Sequence, residues 1–227
     1  MSESKGTARL FSEALVIVVS ILLAFWIDAA WAGRLERVEE REAIAALHDE
    51  AVANADRLVA TLRSNERTHA ATLAFFEADP EDLAAVSVAD ADRLLVDLAI
   101  PNRAALQSGA LDGLTTSGRT QIIRDPNLLQ LLADWPSEAA RIDQRSDLLV
   151  EREGHIHELL GRHADAQAWL MGSRSAASLD LRSLREDPEL MAALAAMQRE
   201  RTIYRGLLER LRGDLNNLVD ALAAARQ

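Results

Sequence analysis

The chain has 227 residues and a formal net charge of −11, so a phosphate backbone, which wants a basic face, is a poor partner and no nucleic acid is expected. The absence of cysteine excludes disulfides, thiolate zinc sites, haem-c attachment and a cysteine nucleophile. Aromatics are only 4%, with 10 glycines and 5 prolines, a balance that favours long helices over sheets.

Residues 1–12 read as an N-terminal tail carrying Lys5 and Arg9. Residues 13–33 hold the one strongly apolar stretch: Ala14 to Ile27 is uncharged, and continuing to Gly33 adds a single aspartate, Asp28. At 1.5 Å per residue, about 20 helical residues reach ~30 Å, the hydrocarbon thickness of a bilayer. A secretory signal is the competing reading, because Lys5 and Arg9 make a weak basic region and Ala30-Trp31-Ala32 fits an A-x-A cleavage site. The helical pattern nevertheless runs past Gly33 through RLERVEEREAIAALHDE without a turn signal, which favours an uncleaved transmembrane anchor.

Asp28 lies about 7 Å from the Gly33 end, within reach of lipid headgroups, and Trp26 and Trp31 flank it like an interfacial aromatic belt. Glu13, Ser20, Ala24, Asp28 and Trp31 share one face at helical spacing. Small and polar residues on one side of a membrane helix favour close approach of another helix; the alternative is that Ser20 and Ala24 fall there by chance and Asp28 marks the end of the span. The expected partners are therefore other membrane proteins or a second copy, through this helix, together with the lipid bilayer. Flanking charges nearly tie, with Lys5 and Arg9 on one side and Arg34, Arg37 and Arg41 on the other. A short tail before one span favours a cytoplasmic N-terminus, so the reading is a single-pass protein of the bacterial inner membrane with the bulk of the chain in the periplasm.

Residues 34–227 carry three Asp-Pro pairs, Asp79-Pro80, Asp125-Pro126 and Asp187-Pro188, each followed by an apolar pattern. Asp can accept from free helix N–H groups while Pro at the first position loses nothing, so each pair predicts a helix start. Three long segments show steps of three and four. The first places Ile44, Leu47, Ala51, Ala55, Leu58, Leu62, Asn65, His69, Leu73 and Phe76 in its seam. The second uses Leu128 through Trp135, Ile142, Ser146, Leu149 and Glu153 to His163; the third runs from Leu190 through Met197, Arg201 and Tyr204 to Leu222. This periodicity predicts an all-α protein: an N-terminal transmembrane helix continuing into an elongated antiparallel helical bundle or coiled coil. Shorter helices are expected near 83–99 and 103–117, Pro136 should kink or break the central helix, and Ala168 to Asp187 should be a loop or poorly ordered connection.

Gly113-Leu-Thr-Thr-Ser-Gly118-Arg119-Thr120 is one substitution from a phosphate-binding loop, but a helix precedes it and Arg119 replaces the lysine, so Gly118 is better read as a helix C-cap. His155 and His157 sit two apart, about 200° around a helix, and cannot share a metal; His48-Asp49-Glu50 fails the same test. His69 and His163 occupy seam positions that suit a hydrogen-bonded histidine or a pH-responsive contact. Arg201 either meets Glu153 across antiparallel helices as a register-fixing pair or snorkels out of a loose layer. No catalytic residue, cofactor or metal is implied.

The run EALVIVVSILLAFWIDAAW, Glu13 to Trp31, resembles the start of an uncharacterised bacterial family of single-span, membrane-anchored helical proteins (a domain of unknown function). ALQSGALDGLTTSGRTQIIRDPNLLQLLADW, Ala105 to Trp135, is also similar to that family in its Ser-Gly, Ile and Leu-x-x-Leu pattern before an aromatic. Family patterns often have Gly where Ser20 stands and Asn where Asp28 stands. The resemblance covers about two thirds of the chain, implies an anchored helical domain, and transfers no catalytic residue. The combined expectation is a non-enzymatic interaction protein, an accessory or scaffold subunit of a larger membrane complex. The alternative is a sensory or ligand-binding helical bundle tethered to the membrane.

Overall fold

The computed structural model describes residues 3–99, 103–163 and 181–226, with side chains from residue 18 onward apart from a few in 88–99. Helix α1 spans Glu3–Glu77, α2 Pro80–Ala85, α3 Val88–Ala99, α4 Gly109–Thr116, a 3-10 turn Thr120–Ile122, α5 Pro126–Leu160, α6 Leu181–Glu186 and α7 Pro188–Ala225. Among the described residues there is no strand, and the protein is an all-α bundle. α1 begins at Glu3, so helix covers most of the segment read as a tail, and it crosses the Gly33 boundary unbroken.

α7 packs against both α1 and α5. Gln198 on α7 meets His69, Arg185 donates to Phe76 O at 2.7 Å, and Arg226 reaches His48 at 3.0 Å, so α1 and α7 run antiparallel. Arg201 lies beside Glu153 and Arg162 beside Glu189, so α5 is antiparallel to α7 and parallel to α1. The chain between α1 and α5 must then travel back along the bundle. It does so as a broken second leg: Leu98 lies near Arg201, Gln107 near Asn54, Ala110 near Glu50 and Arg119 near Glu39. The arrangement is an up-down-up-down bundle whose second leg is α3, an irregular stretch at 103–108, and α4.

All three Asp-Pro pairs start helices. Asp125 accepts from Asn127 N at 2.8 Å and Asp187 from Glu189 N at 2.9 Å, whereas Asp79 occupies the N-cap without a side-chain bond. The expected single helices over 83–99 and 103–117 are corrected. Val86 is extended (φ −61°, ψ 133°), and Ser87 restarts the chain as a cap, its hydroxyl accepting from Asp90 N at 3.2 Å. Residues 103–108 are not helical because Asn54 holds Gln107 instead. The Asn54 amide donates to Gln107 O at 2.7 Å and accepts from Gln107 N at 2.8 Å, so that side chain satisfies the backbone in place of a helical neighbour. α5 passes Pro136 without a break, the ring facing solvent. Of the stretch expected as a loop, residues 168–180 lie outside the described residues and Leu181–Glu186 is helix.

The seams of α5 and α7 fall where periodicity puts them; every predicted α7 position from Leu190 to Leu222 is buried. The α1 seam does so only in part, at Ile44, Leu47, Ala51, Leu58 and Asn65. Its buried set is Ile44, Leu47, Ala51, Asn54 and Leu58, then Thr61, Asn65, Thr68, Thr72 and Phe75, an unbroken three-four alternation. Leu73, read as a seam residue, is exposed, and Leu62 and Phe76 are only partly buried. Buried threonines are tolerated because each hydroxyl donates to its own helix one turn back: Thr61 to Arg57 O at 2.9 Å, Thr68 to Ser64 O at 2.9 Å, Thr72 to Thr68 O at 2.8 Å. The core is consequently uneven along its length. Near Ile44 it is apolar, with Leu128, Leu132 and Trp135 facing Leu211, Leu215, Leu218 and Leu222. Toward Phe75 it carries Asn65, Thr68, Thr72, Glu153, Gln198 and Arg201.

Candidate functional site

Three places in the fold bear on function. The first is the free part of α1. From Val18 to Val38 the large apolar side chains stand clear of the bundle, with Leu22 at 62% exposure, Phe25 at 67% and Trp31 at 71%. This segment is long and apolar enough to cross a membrane, and none of it is buried by the rest of the chain. Ser20, Ala24, Asp28 and Trp31 are all exposed there, and nothing in the described fold covers the face they form. The Glu13 side chain lies outside the described residues.

The second is the polar node of the bundle. The Arg201 side chain is 1% exposed. Its Nη2 donates to Leu98 O at 3.1 Å, its Nη1 to Thr72 Oγ1 at 3.4 Å, and Glu153 Oε1 lies 3.6 Å away. One guanidinium therefore ties together α1, the end of α3, α5 and α7. The ion pair is long for a charge-assisted bond, and both Glu153 Oε1 and Arg201 Nε lack a hydrogen-bond partner. Burial pushes the Glu153 carboxyl up to about 7, the opposing pull of Arg201 being smaller. Burial likewise lowers Arg201 from its ordinary value, against the pull of Glu153. One turn along α7, Tyr204 Oη accepts from Ala104 N at 3.1 Å, and burial raises its phenol. Arg145 and Arg152 both reach Glu200, which adds a half-buried charge pair between α5 and α7.

The third was invisible in the sequence. His163 Nε2 sits 3.0 Å from Asp187 Oδ2, and Ser183 Oγ lies 3.4 Å from His163 Nδ1. Serine, histidine and aspartate thus meet in the order of a hydrolytic triad, across residues too far apart for spacing to reveal. The geometry fits a clamp better than a nucleophile and its base. Asp187 Oδ1 already caps α7 through Glu189 N and Leu190 N, and 3.4 Å is at the outer limit of a hydrogen bond. The His163 hydrogen bond is the largest cause holding the Asp187 carboxyl below its usual range. The clamp joins the end of α5 to the start of α7.

The remaining sequence candidates have ordinary surroundings. Gly118 has φ +66° and follows α4, with its N–H bonded to Thr115 O and that of Arg119 to Leu114 O at 3.0 Å; this is a Schellman end and not a phosphate cradle. Arg119 pairs with Glu39. His155 is exposed, 3.7 Å from Glu158, and among the described residues no three His, Asp or Glu side chains gather to hold a metal. His69 Nδ1 faces Gln198 Nε2 at 2.5 Å.

No family model, curated protein or solved structure matches the chain.

Proposed function

We propose that this protein is a non-enzymatic, membrane-anchored helical interaction protein, an accessory or scaffold subunit of a larger membrane complex. Residues 13–33 form its single span in a bacterial inner membrane, with the N-terminus cytoplasmic and the bundle periplasmic, the orientation that a short tail before one span favours. The observation that carries the reading is the bare apolar length of α1, exposed on every side and continuous with the helix that forms one wall of the bundle. Leaving that much apolar surface in water is unfavourable by roughly 25 cal/mol per Å2, so it needs lipid or another helix around it. On the face of Ser20, Ala24 and Asp28 the backbone can approach a second helix closely, and an unbroken helix transmits that docking to the bundle.

The test is extraction in mild detergent followed by native mass spectrometry, with Ser20→Leu and Ala24→Leu combined in one variant. The variant should remain in the membrane fraction after an alkaline carbonate wash yet run as a smaller complex than the parent. An unchanged complex size removes the partner-face argument, and release of the parent protein by the wash removes the anchor.

A further inference from the structure

Between the middle of α1, the start of α5 and the end of α7 lies a cleft of about 390 Å3, within the size range of small-molecule sites. Its floor is apolar, formed by the buried Ile44, Ile123 and Leu128. Four arginines from three parts of the chain stand at its rim: Arg37, Arg41, Arg124 and Arg226, against Glu40 and Asp125.

The four are not equivalent. Arg124 is taken up by Glu36 at 3.2 Å and Glu40 at 3.7 Å, and Arg226 by Asp49 at 3.7 Å. Asp125 caps α5. Arg37 and Arg41 have no hydrogen-bond or ion-pair partner among the described residues. They sit one turn apart on α1, where like charges repel. An anion between them removes that repulsion and takes guanidinium N–H donors in pairs.

We propose that this cleft binds the phosphate of an anionic phospholipid headgroup, with Arg37 and Arg41 as the principal ligands and the acyl chains running back toward the span along the exposed Leu35 and Trp31 of α1. The proposal rests on the anchor reading, which sets the height. Arg37 is ~6 Å and Arg41 ~12 Å beyond Gly33 along the helix. The headgroup layer is roughly 5–8 Å thick, and an arginine side chain readily reaches back that far. A lipid is favoured over free phosphate because the exposed Leu35 and Trp31 offer its chains an apolar surface on the bilayer side of the two arginines, and a bare inorganic ion gains nothing from them.

The full-length protein, stripped of lipid in detergent, is titrated with phosphatidylglycerol, phosphatidylcholine or inorganic phosphate while its thermal midpoint and lipid-bound mass are followed. Phosphatidylglycerol should raise the midpoint saturably and appear as a one-lipid adduct, and the other two should do neither. Arg37→Gln with Arg41→Gln should weaken that binding about thirtyfold, from ~1 kcal/mol per basic residue. Arg63→Gln, exposed and outside the cleft, should leave it unchanged. Protection by inorganic phosphate equal to that by phosphatidylglycerol overturns the lipid assignment, and equal binding by the double variant overturns the cleft. A carbonate wash of native membranes separates the two readings: release of the parent protein defeats the anchor, whereas retention with no response to phosphatidylglycerol defeats this inference alone.

Discussion

Replacing Glu153 by Gln tests the polar node directly. The Glu153 carboxyl stands at about 7 in the folded protein against an ordinary 4.5, because burial outweighs the attraction of Arg201. A carboxyl whose folded value is raised binds its proton more tightly when folded. Its contribution to stability is full below about 4.5 and disappears as the pH rises through 7. The gap corresponds to about 3 kcal/mol at 1.36 kcal/mol per tenfold, most of which falls between pH 5 and pH 8. At roughly 2–4 °C per kcal/mol for a chain of this size, the parent midpoint should fall by about 5–10 °C over that range relative to Glu153→Gln. Gln keeps the shape and the acceptor facing Arg201 but has no proton to lose. The assay is helical circular dichroism of detergent-solubilised full-length protein during heating, parent and variant side by side at pH 5, 6, 7 and 8, so that every other titrating group cancels. Parallel profiles would refute the reasoning, since they would mean that Arg201 keeps Glu153 ionised throughout.

Other expectations follow from the same packing. Asn54→Ala removes both bonds to Gln107 and leaves its part-buried N–H and C=O without that partner, so it should cost ~1–3 kcal/mol in chemical denaturation and speed amide exchange over 103–116. Leu215→Ala, at a fully buried position of the apolar half, should cost ~2–5 kcal/mol by the same measurement. Asp187→Asn keeps a good N-cap but weakens the link to His163. The parent should be the more stable at pH 7, and the difference should shrink as acid carries the depressed Asp187 carboxyl through its folded value, below about pH 4. Constant spacing of the two stability curves down to pH 2 would sink the clamp.

How much of this could be read beforehand depended on what each element packs against. α5 and α7 meet the bundle through apolar side chains at strict three-four steps, so Leu190 to Leu222 could be assigned to the core from pattern alone. On α1 the apolar residues mislead. Leu62, Leu73 and Phe76 look like seam positions, yet Thr61, Thr72 and Phe75 hold them, because a threonine whose hydroxyl bonds its own backbone one turn back can be buried at low cost. The Asp-Pro starts and the Gly118 end are local chemistry and were legible for that reason. The irregular 103–108 stretch was not, since it depends on one amide, Asn54, some fifty residues away. The same holds for the Ser183–His163–Asp187 cluster, which exists only once α5 and α7 are aligned.

The continuity of α1 has a mechanical corollary. From Gly33 to Glu77 the helix extends ~66 Å without a hinge. Membrane helices adopt tilts of roughly 0–40°, and a change of only about 10° in the anchor swings the far tip sideways by about 11 Å. If α1 crosses a bilayer as proposed, the bundle is in effect a pointer mounted on its own span. On the proposed partner reading, a neighbour that leans on the face of Ser20, Ala24 and Asp28 would write its position, magnified, at the polar end beside Phe75.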